Sequence, residues 1–263
     1  MFYMIGKKRR LKRILRNGRT LIMPVDHGVT RVESGLENVD ELIRTVGDYI
    51  DAVVLHKGLV KNSRVLSEIE IGLIIHLSAS TYLSRDPNDK RIISDVESAL
   101  KLGADAVSVH VNIGSETEGR QLEELGRICD QGDEYGVPVL AMIYPRGNVE
   151  QNLETVKQAA RVGYELGADI VKVPYVEGFS EVVRYCKVPV VIAGGSKGDE
   201  LELLRKVENA LKEGAAGVAV GRNIFNSPSP RDIAKALHDI IHGGMSLEEV
   251  IENERNLALG RWR

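Results

Sequence analysis

Short apolar runs alternate with longer amphipathic stretches along the chain from residue 20 onward. Near-continuous apolar runs of this kind are typical of strands that are buried on both faces of a parallel sheet. We therefore predict a strand at each run. The eight predicted strands cover residues 21–25, 52–56, 73–78, 106–112, 138–144, 170–175, 189–194 and 217–221.

The stretches between the strands carry apolar residues at helical spacing, which predicts helices at residues 36–49, 95–102, 118–135, 152–166, 200–213 and 230–242. Three of these stretches end in the same way, with Gly103, Gly167 or Gly214 placed before the next strand, as expected where a glycine terminates a helix. Strands that alternate with helices specify parallel β-α-β units, and eight such units predict a single-domain (β/α)8 TIM barrel.

An open doubly wound sheet is the main rival to the barrel. Such a sheet normally has fewer strands and a GxGxxG fingerprint after its first strand. Here the first strand is followed by Asp26, His27 and Gly28 without that fingerprint. The pattern therefore favours the barrel.

Composition narrows the classes of function. Of 263 residues 43% are hydrophobic, so the chain can bury a full core, and 35 Lys and Arg against 38 Asp and Glu argue against a nucleic-acid binder. No run approaches the roughly 20 apolar residues of a membrane span, so we expect a cytoplasmic protein that does not bind membranes. Cys129 and Cys186 have neither metal-ligand nor disulfide-framework spacing, which predicts free thiols.

The segment at residues 7–19 is strongly basic and has a short apolar stripe at helical spacing. It lacks the interleaved aromatic residues of many nucleic-acid-binding segments. We interpret it as a solvated helix face or as a basic rim near an anionic substrate, in preference to a nucleic-acid arm.

Lys172 interrupts the sixth apolar strand, where a charge has no structural purpose. Burial disfavours the ammonium form, and a neutral amine is a nucleophile toward carbonyl carbon, so Schiff-base chemistry is the first hypothesis. The structural alternatives are a lysine that snorkels from the strand end or one that forms an ion pair. Lys57 is a competing candidate, but Gly58 follows it and we expect it to be exposed.

The active site of this fold lies at the carboxyl ends of the strands. Strands 7 and 8 end in Gly194-Gly195 and Gly221-Arg222, where backbone N–H groups and a guanidinium could bind phosphate. Tyr144, at the end of strand 5, is the first candidate for the general acid/base that Schiff-base chemistry requires, and Asp26 is the second. A phosphorylated ketone bound by the glycines would then meet the amine of Lys172.

Three histidines end consecutive strands and raise a different mechanism. His56, His76 and His110 could together hold a divalent metal that acts as a Lewis acid. None of them lies in a tight ligand-spacing motif, and strand-end histidines often bind backbone or substrate. We therefore predict neither a metal nor a cofactor, and keep the metal-dependent aldolase as an alternative.

Six motifs in order give the chain a family resemblance: VDHGV at 25–29, LHKG at 55–58, HVNIGS at 110–115, MIYPRG at 142–147, GADIVK at 167–172 and GVAVGRNIF at 217–225. With them the sequence resembles the archaeal class I aldolases, which are (β/α)8 Schiff-base enzymes. The resemblance implies Lys172 as the Schiff-base lysine, Tyr144 as proton donor and Asp26 as an acid/base group. It also implies a substrate and phosphate site formed by His27, Gly28, Val29, Thr30, Pro145, Arg146, Gly194, Gly195, Gly221 and Arg222. Members form rings, often decamers, so it implies a homo-oligomer.

The family has two relevant branches. Fructose-bisphosphate aldolases, which serve glycolysis and gluconeogenesis, tend to carry a tryptophan where this chain has Met142. Met142 favours the branch of 2-amino-3,7-dideoxy-D-threo-hept-6-ulosonate synthases, which transfer a fragment of a ketose phosphate to aspartate semialdehyde for aromatic amino acid biosynthesis. The chain departs from the usual family loops at Ser196 and Glu177. A non-catalytic sugar-phosphate binder is a further alternative, although a binder would not need a buried amine.

Overall fold

The computed structural model describes residues 5–195 and 198–256, in which eight parallel strands form a closed barrel. In chain order the strands are β1 (Thr20–Pro24), β2 (Ala52–Leu55), β3 (Gly72–His76), β4 (Ser78–Ala79), β5 (Arg91–Ile92), β6 (Ala106–Ile113), β7 (Val139–Pro145), β8 (Ile170–Pro174), β9 (Val190–Ala193) and β10 (Gly217–Ala219). Strands β4 and β5 pair antiparallel with each other outside the barrel, whose order is β1-β10-β9-β8-β7-β6-β3-β2. The predicted (β/α)8 fold is confirmed.

Helices surround the barrel: α1 (Ile5–Ile14), α2 (His27–Thr30), α3 (Val39–Val46), α4 (Lys57–Asn62), α5 (Val96–Lys101), α6 (Glu118–Tyr135), α7 (Leu153–Glu165), α8 (Phe179–Tyr185), α9 (Glu200–Lys212), α10 (Arg222–Phe225), α11 (Pro230–Ile241) and α12 (Leu247–Asn256). The six helices predicted after residue 35 are confirmed, mostly with slightly shorter bounds. The prediction missed α2, α4, α8, α10 and the ten-residue α12. Gly103, Gly167 and Gly214 have φ between 87° and 99°, as predicted for glycines that end helices.

Side chains of each barrel strand alternate between the barrel interior and the layer of helices. In β8, Val171 and Val173 pack in the core between sheet and helices, whereas Ile170 packs in the interior cluster. Lys172 follows Ile170 by two positions and therefore faces the interior. This alternation explains how an apolar strand presents one amine to the barrel mouth.

Helix α1 covers the amino-terminal end of the barrel. Its Ile14 is fully buried in the interior cluster beside residues such as Ile22 and Leu140. Two of its cations, and Arg16 just after it, pair with acidic residues that directly precede strands: Lys7 Nζ lies 2.8 Å from Asp169, Arg13 Nε lies 3.4 Å from Asp105, and Arg16 Nε lies 2.9 Å from Asp51. The interpretation of this segment as a basic rim near the substrate is therefore wrong, since the paired cations lie at the opposite end from the strand-end residues.

The same three aspartates also bind the sheet. Each accepts a hydrogen bond from a backbone N–H near the start of the neighbouring strand: Asp51 from Leu21 at 2.6 Å, Asp105 from Leu73 at 3.0 Å, and Asp169 from Val139 at 2.9 Å. One carboxylate thus satisfies both a strand end and a cation of α1 or of the residues just after it. The repeated aspartate is a structural device of this barrel.

Two smaller predictions concern thiols and membranes. Cys129 and Cys186 are buried free thiols, as the spacing predicted. Within residues 5–195 and 198–256 no helix is both long enough and apolar enough to span a bilayer.

Candidate active site

Lys172 lies at the centre of the barrel mouth. It is 7% exposed, and β8 aligns it with Met142 of β7 and Val191 of β9. Lys172 lies in the middle of β8 and is buried, so it does not extend from a strand end into solvent. Within the described residues its Nζ makes no hydrogen bond or ion pair. Both structural alternatives, a snorkelling lysine and an ion-paired one, are therefore wrong. The amine is available to a ligand.

Two adjoining cavities meet at Lys172. The first, the glycine-loop cavity, has a volume of about 330 Å³ and is lined by Gly194, Gly195 and Gly221. The second, the Asp26 cavity, has a volume of about 260 Å³ and is lined by Asp26, Lys90 and His110. Their shared wall consists of His27, Tyr144, Arg146, Lys172 and Arg222. A substrate bound at Lys172 can therefore extend in two directions.

The loops after β9 and β10 are tied to each other on one side of Lys172. Arg222 Nη2 donates to the Gly195 carbonyl at 3.1 Å, and Asn223 Nδ2 donates to the Gly194 carbonyl at 3.0 Å. A Cβ on Gly221 would lie 2.2 Å from the Pro24 carbonyl oxygen, so only glycine fits there. In the described part of the chain Arg222 Nε is buried without a partner. A free buried donor beside glycine backbone suits an oxyanion such as phosphate.

Asp26 lies on the other side of Lys172, between two imidazoles. Its carboxylate oxygens are 3.6 Å from His76 Nε2 and 3.7 Å from His27 Nδ1. Burial alone would raise the pKa of Asp26, but the charges of His76, His27 and Lys172 hold it well below its usual range. Asp26 is therefore ionised at neutral pH and can act as a base.

His76 is fixed by hydroxyl groups on both ring nitrogens, with Ser108 Oγ 2.7 Å from Nδ1 and Ser78 Oγ 3.2 Å from Nε2. Burial lowers its pKa to about 4 in spite of the Asp26 charge. Burial likewise lowers the pKa of His56, whose ring lies 5.2 Å from that of His76. The mouth of the barrel therefore holds neutral imidazoles at physiological pH.

His110 is linked to His76 through Ser78, whose Oγ accepts from the His110 N–H at 2.9 Å and lies 3.2 Å from His76 Nε2. The Nε2 of His110 is 2.9 Å from Asn112 Oδ1, and burial lowers the pKa of His110 well below the ordinary value. Across residues 5–195 and 198–256 no three His, Cys, Asp or Glu side chains are grouped so that they could hold a metal ion. The geometry therefore does not favour the alternative in which His56, His76 and His110 hold a metal.

Tyr144 stands between the two cavities. Its ring packs 4.9 Å from the His110 ring, and the Arg146 guanidinium lies 5.3 Å from its centroid. Its hydroxyl has no hydrogen-bond partner among the described residues, so it is not occupied by a structural bond. Tyr144 can thus exchange a proton with a ligand in either cavity.

The remaining predicted residues take different positions. Thr30 lines the Asp26 cavity, whereas Gly28, Val29 and Pro145 are not on the described wall of either cavity. Lys57 donates to the Ile93 carbonyl at 2.6 Å and also lies off both described walls, so the competing Schiff-base candidate is outside the site. Glu177 is exposed, and Ser196 is outside the described residues.

Sequence reasoning missed Lys90, which is 8% exposed and lines the Asp26 cavity. It precedes β5, on a segment whose polar residues are typical of a solvated loop. Neither periodicity nor a motif marks Lys90 in the sequence. Its place at the site follows only from the path of the chain, which returns over the barrel mouth between β4 and β5.

Comparison with known proteins adds the family. Residues 20–227 match the DeoC/LacD family aldolase. Over 260 residues the chain is 61% identical to 2-amino-3,7-dideoxy-D-threo-hept-6-ulosonate synthase 1 of Archaeoglobus fulgidus, covering 99% of this chain and 100% of the relative. It is 42% identical over 235 residues to 2-amino-4,5-dihydroxy-6-oxo-7-(phosphonooxy)heptanoate synthase of Streptomyces griseus, covering 85% of each chain.

Solved structures give the same family from the fold. The chain superimposes with a TM-score of 0.80 and 31% identity on an archaeal fructose-1,6-bisphosphate aldolase, covering 90% of this chain and 99% of that one. In that structure the catalytic lysine is covalently bound to the carbinolamine intermediate of the substrate.

Proposed function

The chain belongs to the DeoC/LacD aldolase family, and from this premise we propose that it is a lysine Schiff-base enzyme that transfers a fragment of a phosphorylated ketose to aspartate semialdehyde. The reaction is that of a 2-amino-3,7-dideoxy-D-threo-hept-6-ulosonate synthase, the name carried by the 61% identical relative. The observation that carries the chemistry is Lys172, buried without a counter-ion between the glycine loops and the Asp26 and Tyr144 pair.

The first half of the reaction forms the Schiff base. The Lys172 amine adds to the ketone carbon of a substrate whose phosphate is bound by the glycine loops and Arg222. The resulting carbinolamine loses its hydroxyl as water, with the proton supplied by the unoccupied Tyr144 hydroxyl, and leaves an iminium ion. Burial favours this step because it excludes competing water.

The second half breaks and remakes a carbon–carbon bond. A base removes the proton of the hydroxyl on the carbon β to the iminium, and that carbon leaves as the aldehyde of the fragment that carries the phosphate, because carbon 7 of the named product bears neither hydroxyl nor phosphate. The bonding electrons form an enamine on Lys172. Ionised Asp26 and the Tyr144 phenolate left by the first step are the two bases in reach of the Asp26 cavity. The enamine carbon then attacks the acceptor aldehyde, the new alkoxide takes a proton back, and water releases the product from the lysine.

The names of the two synthases define the acceptor. Both products are seven-carbon amino acids with the amino group on the second carbon and the ketone on the sixth. An aldol addition joins the fifth carbon, next to the ketone, to the fourth carbon, which becomes an alcohol. The first four carbons of the product are therefore those of 2-amino-4-oxobutanoate, which is aspartate semialdehyde.

Class I fructose-1,6-bisphosphate aldolase is the second candidate, supported by the 31% identical archaeal structure of that name. The two candidates share the lysine chemistry and differ in the acceptor aldehyde. The higher identity to the heptulosonate synthase over nearly the whole chain favours the first.

Borohydride trapping with peptide mapping tests the proposal, using 6-deoxy-5-ketofructose 1-phosphate and fructose 1,6-bisphosphate in separate reactions. We expect a reduced adduct on Lys172 with the first sugar, and formation of an amino-heptulosonate when aspartate semialdehyde is added. An adduct and cleavage with fructose 1,6-bisphosphate alone would favour the second candidate. If neither sugar gave an adduct on the folded protein, the non-catalytic sugar-phosphate binder would be favoured. If a chelator abolished activity, the metal-dependent aldolase would be favoured.

Assembly and location remain proposals from the family resemblance. We propose a cytoplasmic homo-oligomer, with the phosphorylated sugar as its small-molecule partner and without nucleic-acid or membrane binding. Light scattering of the purified protein measures the assembly directly. A mass near ten chains supports the decameric ring, and a monomer would contradict the homo-oligomer.

A further inference from the structure

The position of the hydrogen on one imidazole at the barrel mouth follows from its neighbours. His110 Nε2 lies 2.9 Å from Asn112 Oδ1, and Asn112 Nδ2 donates to the Asn88 carbonyl oxygen at 2.9 Å. Because a carbonyl oxygen only accepts, the amide nitrogen of Asn112 must face Asn88 and its amide oxygen must face His110. An amide oxygen also only accepts, so the hydrogen of the bond to His110 is on Nε2.

The amide of Asn112 is held in this orientation by a buried network. Asn112 is 1% exposed, and its backbone N–H donates to Gln121 Oε1 at 2.9 Å. Gln121 is equally buried, and its Nε2 donates to the same Asn88 carbonyl at 2.9 Å and to Thr117 Oγ1 at 2.8 Å. A buried polar network whose members have partners favours a single arrangement. The hydrogen therefore stays on His110 Nε2.

The second nitrogen of this imidazole, Nδ1, is left as a hydrogen-bond acceptor. His110 is neutral at physiological pH, because burial lowers its pKa well below the ordinary value and the nearby Lys90 charge acts in the same direction. In a neutral imidazole the nitrogen without a hydrogen carries a lone pair. The residue is half-buried and lines the Asp26 cavity, and within residues 5–195 and 198–256 its Nδ1 has no hydrogen-bond partner. It therefore suits a ligand that donates a hydrogen bond.

The proposed product shows which group of the substrate can donate. In a 2-amino-3,7-dideoxy-hept-6-ulosonate, carbons 5, 6 and 7 are a hydroxyl-bearing carbon, a ketone and a methyl group, which is the skeleton of hydroxyacetone. These three carbons form the enamine on Lys172. The oxygen on carbon 4 loses or gains a proton as the carbon–carbon bond breaks or forms, whereas the hydroxyl on carbon 5 keeps its hydrogen throughout. That hydroxyl remains a donor at every step.

We propose that His110 Nδ1 accepts a hydrogen bond from the hydroxyl on carbon 5 and thereby selects a ketone that carries a hydroxyl beside its carbonyl group. This assignment rests on the proposed function. Carbon 5 is bonded to carbon 6, which is the carbon attached to Lys172, and His110 lines the same cavity as Lys172. A neutral nitrogen accepts from the hydroxyl without removing its proton, so general base catalysis stays with Asp26 and Tyr144.

Hydroxyacetone and acetone test this bond, each with aspartate semialdehyde as the acceptor. Their enamines differ only in the hydroxyl, and neither ketone carries a phosphate. We expect His110→Phe, which keeps a ring against Tyr144, to lower kcat/KM for hydroxyacetone about tenfold and to change kcat/KM for acetone less than about twofold. His238→Phe is the matched control, since this half-buried histidine of α11 lines neither described cavity, and it leaves both values unchanged.

Asn112→Leu provides the second, independent variant. It leaves the Asn88 carbonyl bonded to Gln121 but removes the acceptor that holds the hydrogen on His110 Nε2. We expect kcat/KM for hydroxyacetone to fall about threefold and kcat/KM for acetone to stay unchanged, because part of the population then carries its hydrogen on Nδ1. Melting temperatures measured alongside show whether each variant is folded.

Nitrogen-15 NMR of histidine-labelled protein measures the position of the hydrogen without any substrate. The imidazole signals that disappear in His110→Phe belong to His110. We expect them to show the hydrogen on Nε2 in wild type and a mixture of both forms in Asn112→Leu. A role in packing alone would not require this pattern.

Three results would overturn the assignment. Equal losses for hydroxyacetone and acetone in His110→Phe, or no loss for either, would make His110 a packing partner of Tyr144 only. A hydrogen on Nδ1 in wild type would remove the acceptor. Failure of the proposed function is distinguishable, because wild-type protein would then form no amino-heptulosonate from hydroxyacetone and aspartate semialdehyde, whatever form of His110 the NMR spectrum shows.

Discussion

Each end of the barrel buries a lysine, and the two lysines have opposite surroundings. Lys7 and Lys172 are both 7% exposed. Lys7 lies 2.8 Å from Asp169 and 2.5 Å from Asp133, and these bonds raise its pKa although burial alone would lower it. Lys172 has no such partner among the described residues. Burial with a partner fastens α1 to the barrel, whereas burial without one leaves an amine free for a ligand.

The carboxylates at the two ends differ in the same way. Asp51 accepts from Leu21 N–H at 2.6 Å and lies 2.9 Å from Arg16 Nε and 2.8 Å from His242 Nε2. Asp26, by contrast, lies more than 3.5 Å from its two nearest imidazole nitrogens, at 3.6 and 3.7 Å. Groups whose hydrogen bonds and ion pairs are made within the protein hold the structure together, whereas groups without such partners remain free for substrate. Four predictions follow this contrast, from the largest expected effect to the smallest.

Lys172→Met should abolish the transfer reaction, with a loss of at least ~10⁴-fold, or about 5 kcal/mol of transition-state stabilisation. The same variant should unfold at equal or higher denaturant concentration than wild type, because a buried amine without a counter-ion is replaced by an apolar chain of similar size. Steady-state kinetics and urea unfolding measure the two effects. A clear loss of stability would show that Lys172 is structural after all.

Asp51→Ala should affect stability and not the reaction, and it should lower the unfolding free energy by about 4 kcal/mol. The reason is that Leu21 N–H, Arg16 and His242 would lose one shared acceptor at once. Asp48→Ala, an exposed position close by in the sequence, is the control and should fall within about 0.5 kcal/mol of wild type. An Asp51→Ala protein as stable as this control would refute a structural role for the repeated aspartate.

Lowering the pH should lower the free energy of unfolding through His76, at the mouth of the barrel. The folded pKa of His76 is about 4 against an ordinary value of 6.5, so between these pH values the unfolded chain binds a proton that the folded chain does not. Stability should therefore fall as pH drops through this window, by about 3 kcal/mol for this group. Urea unfolding at several pH values measures the effect, and His76→Asn should lose less unfolding free energy over this window than wild type, by about the same amount. If the unfolding free energies of the two proteins fell equally with pH, His76 would not be the group responsible.

Lys7→Met should cost about 2 kcal/mol of unfolding free energy and leave kcat and KM unchanged, because it leaves Asp169 with only its bond to Val139 N–H. The raised pKa of Lys7 means that its contribution is present below pH 10.5 and is lost as pH rises through the folded value. The exposed Lys12→Met of the same helix is the control. A reduced kcat in Lys7→Met at full folding would show that the two ends are coupled.

Much of the fold could be read from local pattern. Helix α6 was predicted with its observed bounds, Glu118–Tyr135, because apolar spacing and Gly136 both mark it. Helix α8 was missed because its seven residues have neither a polar N-cap nor a glycine at the C-terminal end, whereas the six-residue α5 begins after Asp95 and ends before Gly103. At the site, Lys172, Tyr144 and Asp26 could be found from sequence because each follows or interrupts an apolar strand, and parallel strands bring their carboxyl ends together.

The sequence by itself determined the barrel, its strand order in the chain and the amine in β8, because hydrophobic periodicity and turn chemistry act over a few residues. Only the tertiary structure placed α1 at the amino-terminal end and Lys90 at the mouth. Whether a lysine meets a carboxylate or a cavity depends on residues distant in the chain, 162 positions away for Lys7 and Asp169. Charge and spacing alone could therefore not separate the ion-paired lysine from the unpaired one.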